Sequence, residues 1–150
     1  IRNKQIGFIF QGYNLIPELT ALENVELPLI YQGIGPGKRQ ELAQRALERV
    51  GLGSRGGHRP SEMSGGQQQR VAIARAISTS PPIIMADEPT GALDSKTGQE
   101  VLAFLQQLNR EGSTVILITH DNGIAATARR IVRVSDGKIV EDHAQEVDWL

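Results

Sequence analysis

Two short apolar runs with an amphipathic segment between them constrain the fold of this sequence more than any other feature. The runs cover residues 83–86 and 115–118, and the segment 95–109 between them has large aliphatic side chains at helical spacing: Val101, Leu102, Leu105 and Leu108. Continuous apolar runs are typical of strands covered on both faces. A strand, a helix and a second strand in this order indicate a right-handed βαβ unit in a parallel sheet. We therefore predict an α/β fold.

The other segments extend this prediction in both directions. Residues 6–10 are typical of a third buried strand, and Asp136-Gly137 predicts a hairpin turn between short strands at 131–134 and 138–140. Helices are predicted from the Thr20-x-x-Glu23 capping box to about Ile30, over 38–50 and over 71–77. We assign 1–10 and 81–142 to a partial α/β core, 11–80 to a helical insertion, and 143–150 to a polar tail in which the last two residues pack down.

Composition excludes several classes of function. The formal net charge is −1, which argues against an overall positive electrostatic potential that would attract nucleic acid. The sequence contains no cysteine, which argues against a disulfide framework and against thiolate metal sites. No apolar stretch approaches the roughly 20 residues of a membrane-spanning helix. We expect a cytoplasmic protein, and because Ile1 is no translation start we expect the sequence to be a piece of a longer one.

Polar side chains follow the ends of the predicted parallel strands. Asp87 and Glu88 end one strand, His120 follows another, and Gln11 follows the run at 6–10. Open α/β sheets bind ligands along the carboxyl edge where such residues meet. A carboxylate for Mg²⁺, a second carboxylate as base and a histidine near phosphate suit phosphoryl transfer. The alternative is a merely acidic turn after a strand.

The segment Ser64-Gly65-Gly66-Gln67 has two interpretations. Ser64 and Gln67 have the spacing of a capping box, which commonly does no more than start a helix. Two glycines in a first helical turn are unfavourable, because glycine costs about 1 kcal/mol relative to alanine inside a helix. Their free backbone N–H groups at a positive helix end would instead allow close approach of a phosphate.

Five motifs in one order make the sequence similar to the ATP-binding-cassette (ABC) ATPases. Residues 10–15 resemble the Q-loop, 64–70 the signature motif, 83–89 the Walker B strand, 91–94 the D-loop, and His120 the switch histidine. The runs 19–25 and 86–91 are most similar to the macrolide-export and lipoprotein-release branch. The resemblance implies a P-loop-type, mostly parallel sheet, incomplete at its amino-terminal end, with an inserted helical subdomain that contains the signature.

The resemblance also implies roles for individual residues. Asp87 would hold Mg²⁺, Glu88 would be the general base, His120 would contact the γ-phosphate, and Gln11 would sense Mg²⁺ and the attacking water. Five further residues would act on ATP held by a second ATPase subunit: Ser64, Gly65, Gly66, Gln67 and Asp94. The implied partners are that second subunit, in a homodimer, and integral membrane permease subunits at the inner face of the membrane.

The nucleotide-gripping loop of that family, G-x-x-x-x-G-K-[ST], does not occur in the printed sequence. The Gly-Lys pairs at 37–38 and 137–138 have Gln32 and Val132 in place of the first glycine, and neither pair is followed by serine or threonine. We expect the 150 residues alone not to bind ATP tightly. DNA-repair, chromosome-organising and ribosome-associated ABC ATPases form the alternative class, although no basic patch predicts nucleic acid as a partner.

Overall fold

The computed structural model describes residues 6–147 and 149–150 and contains the predicted parallel sheet. Its strands are β1 (Ile6–Phe10), β2 (Ile83–Asp87) and β3 (Thr114–Ile118), hydrogen-bonded in the order β1-β2-β3. Both pairings are parallel. The predicted α/β architecture is confirmed, and β2 lies in the middle of the three strands.

Five α-helices and one 3₁₀ turn occur in the described residues. They are α1 (Ala21–Tyr31), α2 (Pro36–Arg49), the 3₁₀ turn Pro60–Glu62, α3 (Gly65–Ile77), α4 (Ser95–Arg110) and α5 (Asn122–Ala125). Thr20 caps α1 through the predicted capping box with Glu23. The first Gly-Lys pair lies inside α2, so it forms no phosphate-binding loop.

Helix α3 joins the helical insertion to the sheet. A Cβ atom added at Gly7 of β1 would lie 2.4 Å from the Ala76 carbonyl oxygen, so strand and helix pack at a distance that only glycine allows. The alanines at 72, 74 and 76 are all buried, in agreement with the close packing predicted for this helix. The hydrophobic core therefore continues from the sheet, through α3, into α1 and α2, and its largest fully buried apolar side chains include Ile9, Val25, Leu29, Leu47, Val71, Ile73, Ile84 and Val101.

The carboxyl-terminal segment forms a second, two-stranded sheet. Strands β4 (Arg130–Ser135) and β5 (Lys138–Ala144) pair antiparallel around the predicted turn. Strand β5 runs four residues past the predicted end at Val140, so the predicted tail begins inside a strand. The guanidinium groups of Arg110 and Arg129 lie 4.8 and 5.5 Å from the ring centre of Trp149, whose side chain remains about half exposed.

Two other predictions differ from the structure. Helix α3 begins at Gly65 rather than Val71, because the capping box supports the two glycines that would otherwise disfavour a helix. Strand β3 is covered on one face only, since Ile116 and Ile118 are 42% and 45% exposed. Within the described residues, the longest apolar helices fall short of what a membrane crossing requires.

Candidate nucleotide-hydrolysis site

The residues predicted for the sheet edge are brought together by strand register. Phe10, Asp87 and Ile118 are paired side by side across the three parallel strands. Adjacent strands lie about 4.8 Å apart. Gln11, Glu88 and the Thr119-His120 pair therefore leave the sheet next to one another, as the sequence predicts.

Glu88 and His120 are in direct contact. The Glu88 Oε1 oxygen lies 2.5 Å from His120 Nδ1 and accepts a hydrogen bond from the His120 backbone N–H at 3.0 Å. The backbone of Glu88 has a φ of 45°, a left-handed conformation that is rare outside glycine and asparagine. That conformation turns Glu88 out of the strand direction, and its own N–H donates to the Ile118 carbonyl at 2.9 Å.

These contacts set the charge of Glu88. Burial alone would raise the pKa of Glu88, but hydrogen bonds from His120 and Thr119 outweigh burial and hold it below the ordinary 4.5. The carboxylate is therefore ionised at neutral pH and accepts a hydrogen bond from the His120 Nδ1–H group. The imidazole Nε2 points away from this bond, and the His120 side chain is 91% exposed. Nε2 is thus free to meet a ligand beyond the sheet edge.

Asp87 offers a carboxylate suited to a hard cation. Its side chain is exposed at the end of β2 and makes no hydrogen bond or ion pair with another residue in the described part of the chain. Residues 6–147 and 149–150 contain no cluster of three acidic, histidine or cysteine side chains that could together hold a metal. Mg²⁺ is commonly held by one or two carboxylates together with substrate phosphates and water. Asp87 fits that mode of binding.

Gln11 is held against the loop that follows Glu88. A Cβ atom at Gly91 would lie 2.7 Å from both Cδ and Nε2 of Gln11, so the amide packs directly on the glycine backbone. The Gly91 N–H in turn donates to the Glu88 carbonyl at 3.1 Å. Gln11 and Glu88 are therefore linked through one short turn.

The predicted capping box at the signature segment is present. Ser64 Oγ accepts from the Gln67 N–H at 3.1 Å, and Gln67 Oε1 accepts from the Ser64 N–H at 3.0 Å. Gly65 and Gly66 form the first positions of α3, where backbone N–H groups have no partner within the helix. The segment is thus both a helix cap and a set of donors suited to an anion.

Gly66 also has a packing role inside the chain. A Cβ atom there would lie 2.4 Å from Thr97 Cγ2 in the first turn of α4. Asp94 caps that turn, accepting from the Thr97 N–H at 3.2 Å, and the hydrogen bonds from Thr97 lower the pKa of Asp94. The starts of α3 and α4 consequently lie against each other.

Sequence reasoning missed several residues of this region. Thr119 Oγ1 donates to Glu88 Oε2 at 3.4 Å, and its position beside His120 was the available signal. Gln69 and Arg75 of α3 reach across to the backbone on either side of Gln11. No sequence pattern within α3 indicates such distant partners.

The chain is similar to known proteins of one family. A model of the ABC transporter family matches residues 1–91. The chain belongs to the ABC transporter family. A macrolide export ATP-binding/permease protein, MacB, of Marinobacter nauticus is 54% identical over 98% of this chain and 23% of its own length. The uncharacterized ABC transporter ATP-binding protein YknY of Bacillus subtilis is 56% identical over 93% of the chain and 61% of its own length.

Solved ABC cassettes have the same fold. The cassette MJ0796, in a dimeric post-hydrolysis state bound to ADP and Pi, superposes with a TM-score of 0.82 at 47% identity, over 95% of this chain and 64% of its own. The predicted P-loop-type fold and the resemblance to macrolide-export proteins are confirmed. This ABC transporter chain spans about a quarter of the length of the MacB relatives and about two thirds of the solved cassettes.

Proposed function

We propose that the protein containing this chain hydrolyses ATP at the carboxyl edge of the sheet and uses the reaction to drive transport. The supporting observation is the contact between Glu88 and His120, which stands beside the unpaired carboxylate of Asp87. One edge of the three-stranded sheet thus brings together a general base (Glu88), a group that can contact a phosphate (His120) and a ligand for a cation (Asp87).

The contacts divide the chemistry between the two oxygens of Glu88. Oε1 accepts two hydrogen bonds from His120, whereas Oε2 accepts only the long one from Thr119. Oε2 is therefore the oxygen that accepts the proton of the attacking water. His120 Nε2 faces away from Glu88 and is left to contact the γ-phosphate, and it can donate to a phosphate oxygen only when both ring nitrogens carry a proton.

Asp87 and Gln11 would complete the site. Asp87 would hold Mg²⁺, directly or through water, and the ion when bound neutralises charge on the phosphate oxygens. Gln11 lies against Gly91, within one turn of Glu88, and would orient the attacking water.

The signature residues would serve a second copy. Ser64, Gly65, Gly66 and Gln67 present hydroxyl and N–H donors at the start of α3, where a γ-phosphate held by the partner can be bound. Asp94, at the adjacent start of α4, would act across the same interface. We therefore propose a dimer, and the solved cassettes that the chain is similar to are dimeric.

The membrane partner would contact the helical insertion. Ile16, Ile30 and Tyr31 of this insertion are 40%, 46% and 79% exposed. A groove between α1 and β1, lined by Phe8, Leu27 and Pro28 among others, lies beside Tyr31. An apolar surface of this kind suits a helical segment of a permease subunit. The protein would then act at the cytoplasmic face of the membrane.

The decisive experiment changes the base without changing its size. Glu88→Gln in the full-length protein should lower ATP turnover by about 10²–10⁴-fold while ATP binding persists, because general-base catalysis contributes about that factor. Glu41→Gln, in an exposed ion pair on α2, is the matched control and should leave turnover unchanged. Normal hydrolysis by Glu88→Gln would refute the assignment.

A purification experiment tests the partner. The intact protein should co-purify with integral membrane subunits or a fused permease domain. Recovery with DNA or ribosomes instead would favour the non-transport class of ABC ATPases.

A further inference from the structure

Two side chains of helix α3 form hydrogen bonds to the backbone on both sides of Gln11. On the upstream side, the Gln69 amide Nε2 donates to the Phe10 carbonyl at 3.3 Å and also to the Pro89 carbonyl. On the downstream side, the Arg75 guanidinium donates to the Asn14 carbonyl at 2.7 Å and to the Tyr13 carbonyl at 2.9 Å. The helix that begins with the signature segment therefore brackets Gln11.

The hydrogen bonds on the upstream side come from a buried side chain. Gln69 is 0% exposed, and its Oε1 has no hydrogen-bond partner among the described residues. Burying an amide whose oxygen has no hydrogen-bond partner costs free energy, and an apolar side chain of similar shape would avoid that cost. The glutamine at this position therefore indicates a role for the hydrogen bonds that its Nε2 group donates. Here Nε2 joins the end of β1 to the turn just after Glu88, so it ties together the two strands whose ends hold Gln11 and the base.

The hydrogen bonds on the downstream side, donated by Arg75, hold a strained loop. Tyr13 and Asn14 have φ values of 62° and 58°, and left-handed backbone is unusual for a bulky residue such as tyrosine. Such conformations persist where the surroundings over-determine them. Arg75 binds the carbonyls of both residues, and burial lowers its pKa. The Tyr13 hydroxyl lies against Gly65, where an added Cβ would be 2.9 Å away.

We propose that Gln69 and Arg75 are positioning residues that set the location of Gln11 relative to Glu88 and to the signature segment. They touch no reacting atom and act through Gln11. A displacement of the signature helix is thereby transmitted to Gln11 through hydrogen bonds within the same subunit. The inference rests on the proposed ATPase function.

The test is a double-mutant cycle in the full-length protein, read out as kcat and as the KM for ATP. Arg75→Met should lower kcat by about 10- to 100-fold, the loss expected when a reacting group is misplaced by about an ångström. KM should change much less. In a Gln11→Ala background, Arg75→Met should lower kcat less than about twofold further, because residues that act as one unit are non-additive.

Three variants make the result specific. Arg75→Lys should recover part of the lost kcat, since an ammonium group can donate to one of the two carbonyls. Gln69→Met, which keeps the volume and removes the donor, should behave like Arg75→Met in the same cycle. Arg39→Met is the control: Arg39 is 23% exposed, pairs with Glu26 and donates to the Ile34 carbonyl within the helical insertion, so its loss should cost stability but not kcat.

The outcomes separate the two proposals. Full additivity of Arg75→Met with Gln11→Ala, while Gln11→Ala itself is impaired, would overturn the positioning role and leave the ATPase site intact. An equal loss of kcat in Arg39→Met would also overturn it, because general destabilisation would then explain the effect. Unchanged turnover in Gln11→Ala would refute the role of Gln11 and, with it, the positioning role.

Discussion

Substituting Gly66 by alanine can separate two reasons for a glycine at the start of α3. One reason is room: the new Cβ would lie 2.4 Å from Thr97 Cγ2, whereas carbon atoms prefer about 3.5–4.0 Å. The other is access of a partner's phosphate to backbone N–H groups. Packing should be repaired by a change at Thr97, whereas phosphate access should not.

The size of the effect follows from two opposing terms. Overpacking costs about 1–3 kcal/mol. Alanine offsets up to about 1 kcal/mol of this through its better helix propensity, and less in a first turn. We expect Gly66→Ala to destabilise the cassette by about 1–2 kcal/mol.

Thr97→Ser removes the clashing methyl group and keeps the hydroxyl beside Asp94. The nearest remaining Thr97 carbon, Cβ, would be 3.7 Å from the new methyl group, an ordinary contact. Gly66→Ala combined with Thr97→Ser should therefore be about as stable as Thr97→Ser alone, a coupling of about 1–2 kcal/mol.

The assay combines chemical unfolding of the cassette with ATP turnover of the full-length protein. If Gly66 also serves a phosphate, the double variant regains stability but not hydrolysis. Recovered hydrolysis would show that the glycine is needed only for packing against Thr97. A Gly66→Ala variant as stable as the parent, or a double variant that remains destabilised, would refute the packing account.

Three further predictions concern caps and charge. Thr20→Ala should lower the free energy of unfolding by about 1 kcal/mol without changing turnover, whereas Ser64→Ala should lower both; equal turnover losses would contradict this. Asp94→Asn should keep the stability that Asp94→Ala loses, because asparagine also caps helices, as thermal unfolding can show. The pKa of Glu88 is lowered in the folded state, so its contribution to stability is present above the ordinary 4.5 and is lost as pH falls through the folded-state value. Glu88→Gln should therefore flatten the acid-induced loss of stability in a pH series, and an unchanged slope would count against the pair with His120.

Much of the fold could be predicted because its determinants are local. The capping box at Thr20 involves residues three apart in sequence. Each buried strand of the parallel sheet is recognised from its own short apolar run, without reference to the rest of the chain. The missed start of α3 had a local cause too, since Gly65 and Gly66 oppose helix formation in isolation and a cap at Ser64 overrides them. The exposure of Ile118 could not be predicted, because it depends on what lies against the sheet rather than on β3 itself.

Some features of the candidate site could likewise be predicted from the sequence, and others could not. Convergence of Glu88 and His120 follows from parallel strands, so the sequence was sufficient. Their direct hydrogen bond depends on the left-handed backbone of Glu88, which no propensity favours. The links from Gln69 and Arg75 span 59 and 62 residues of sequence, and they arise only from the packing of α3 against β1.

The shared row of Phe10, Asp87 and Ile118 has a consequence for how such a chain can vary. The spacing of Gln11 from Glu88 is set by adjacent strands and does not depend on the length of the insertion between them. That insertion can be lengthened or shortened in its outer helices without altering the spacing of the residues at the sheet edge. Loss of a single residue within β1, by contrast, would turn every later side chain of the strand to the opposite face. Natural variation should therefore be broad at the tips of α1 and α2 and nearly absent in strand length.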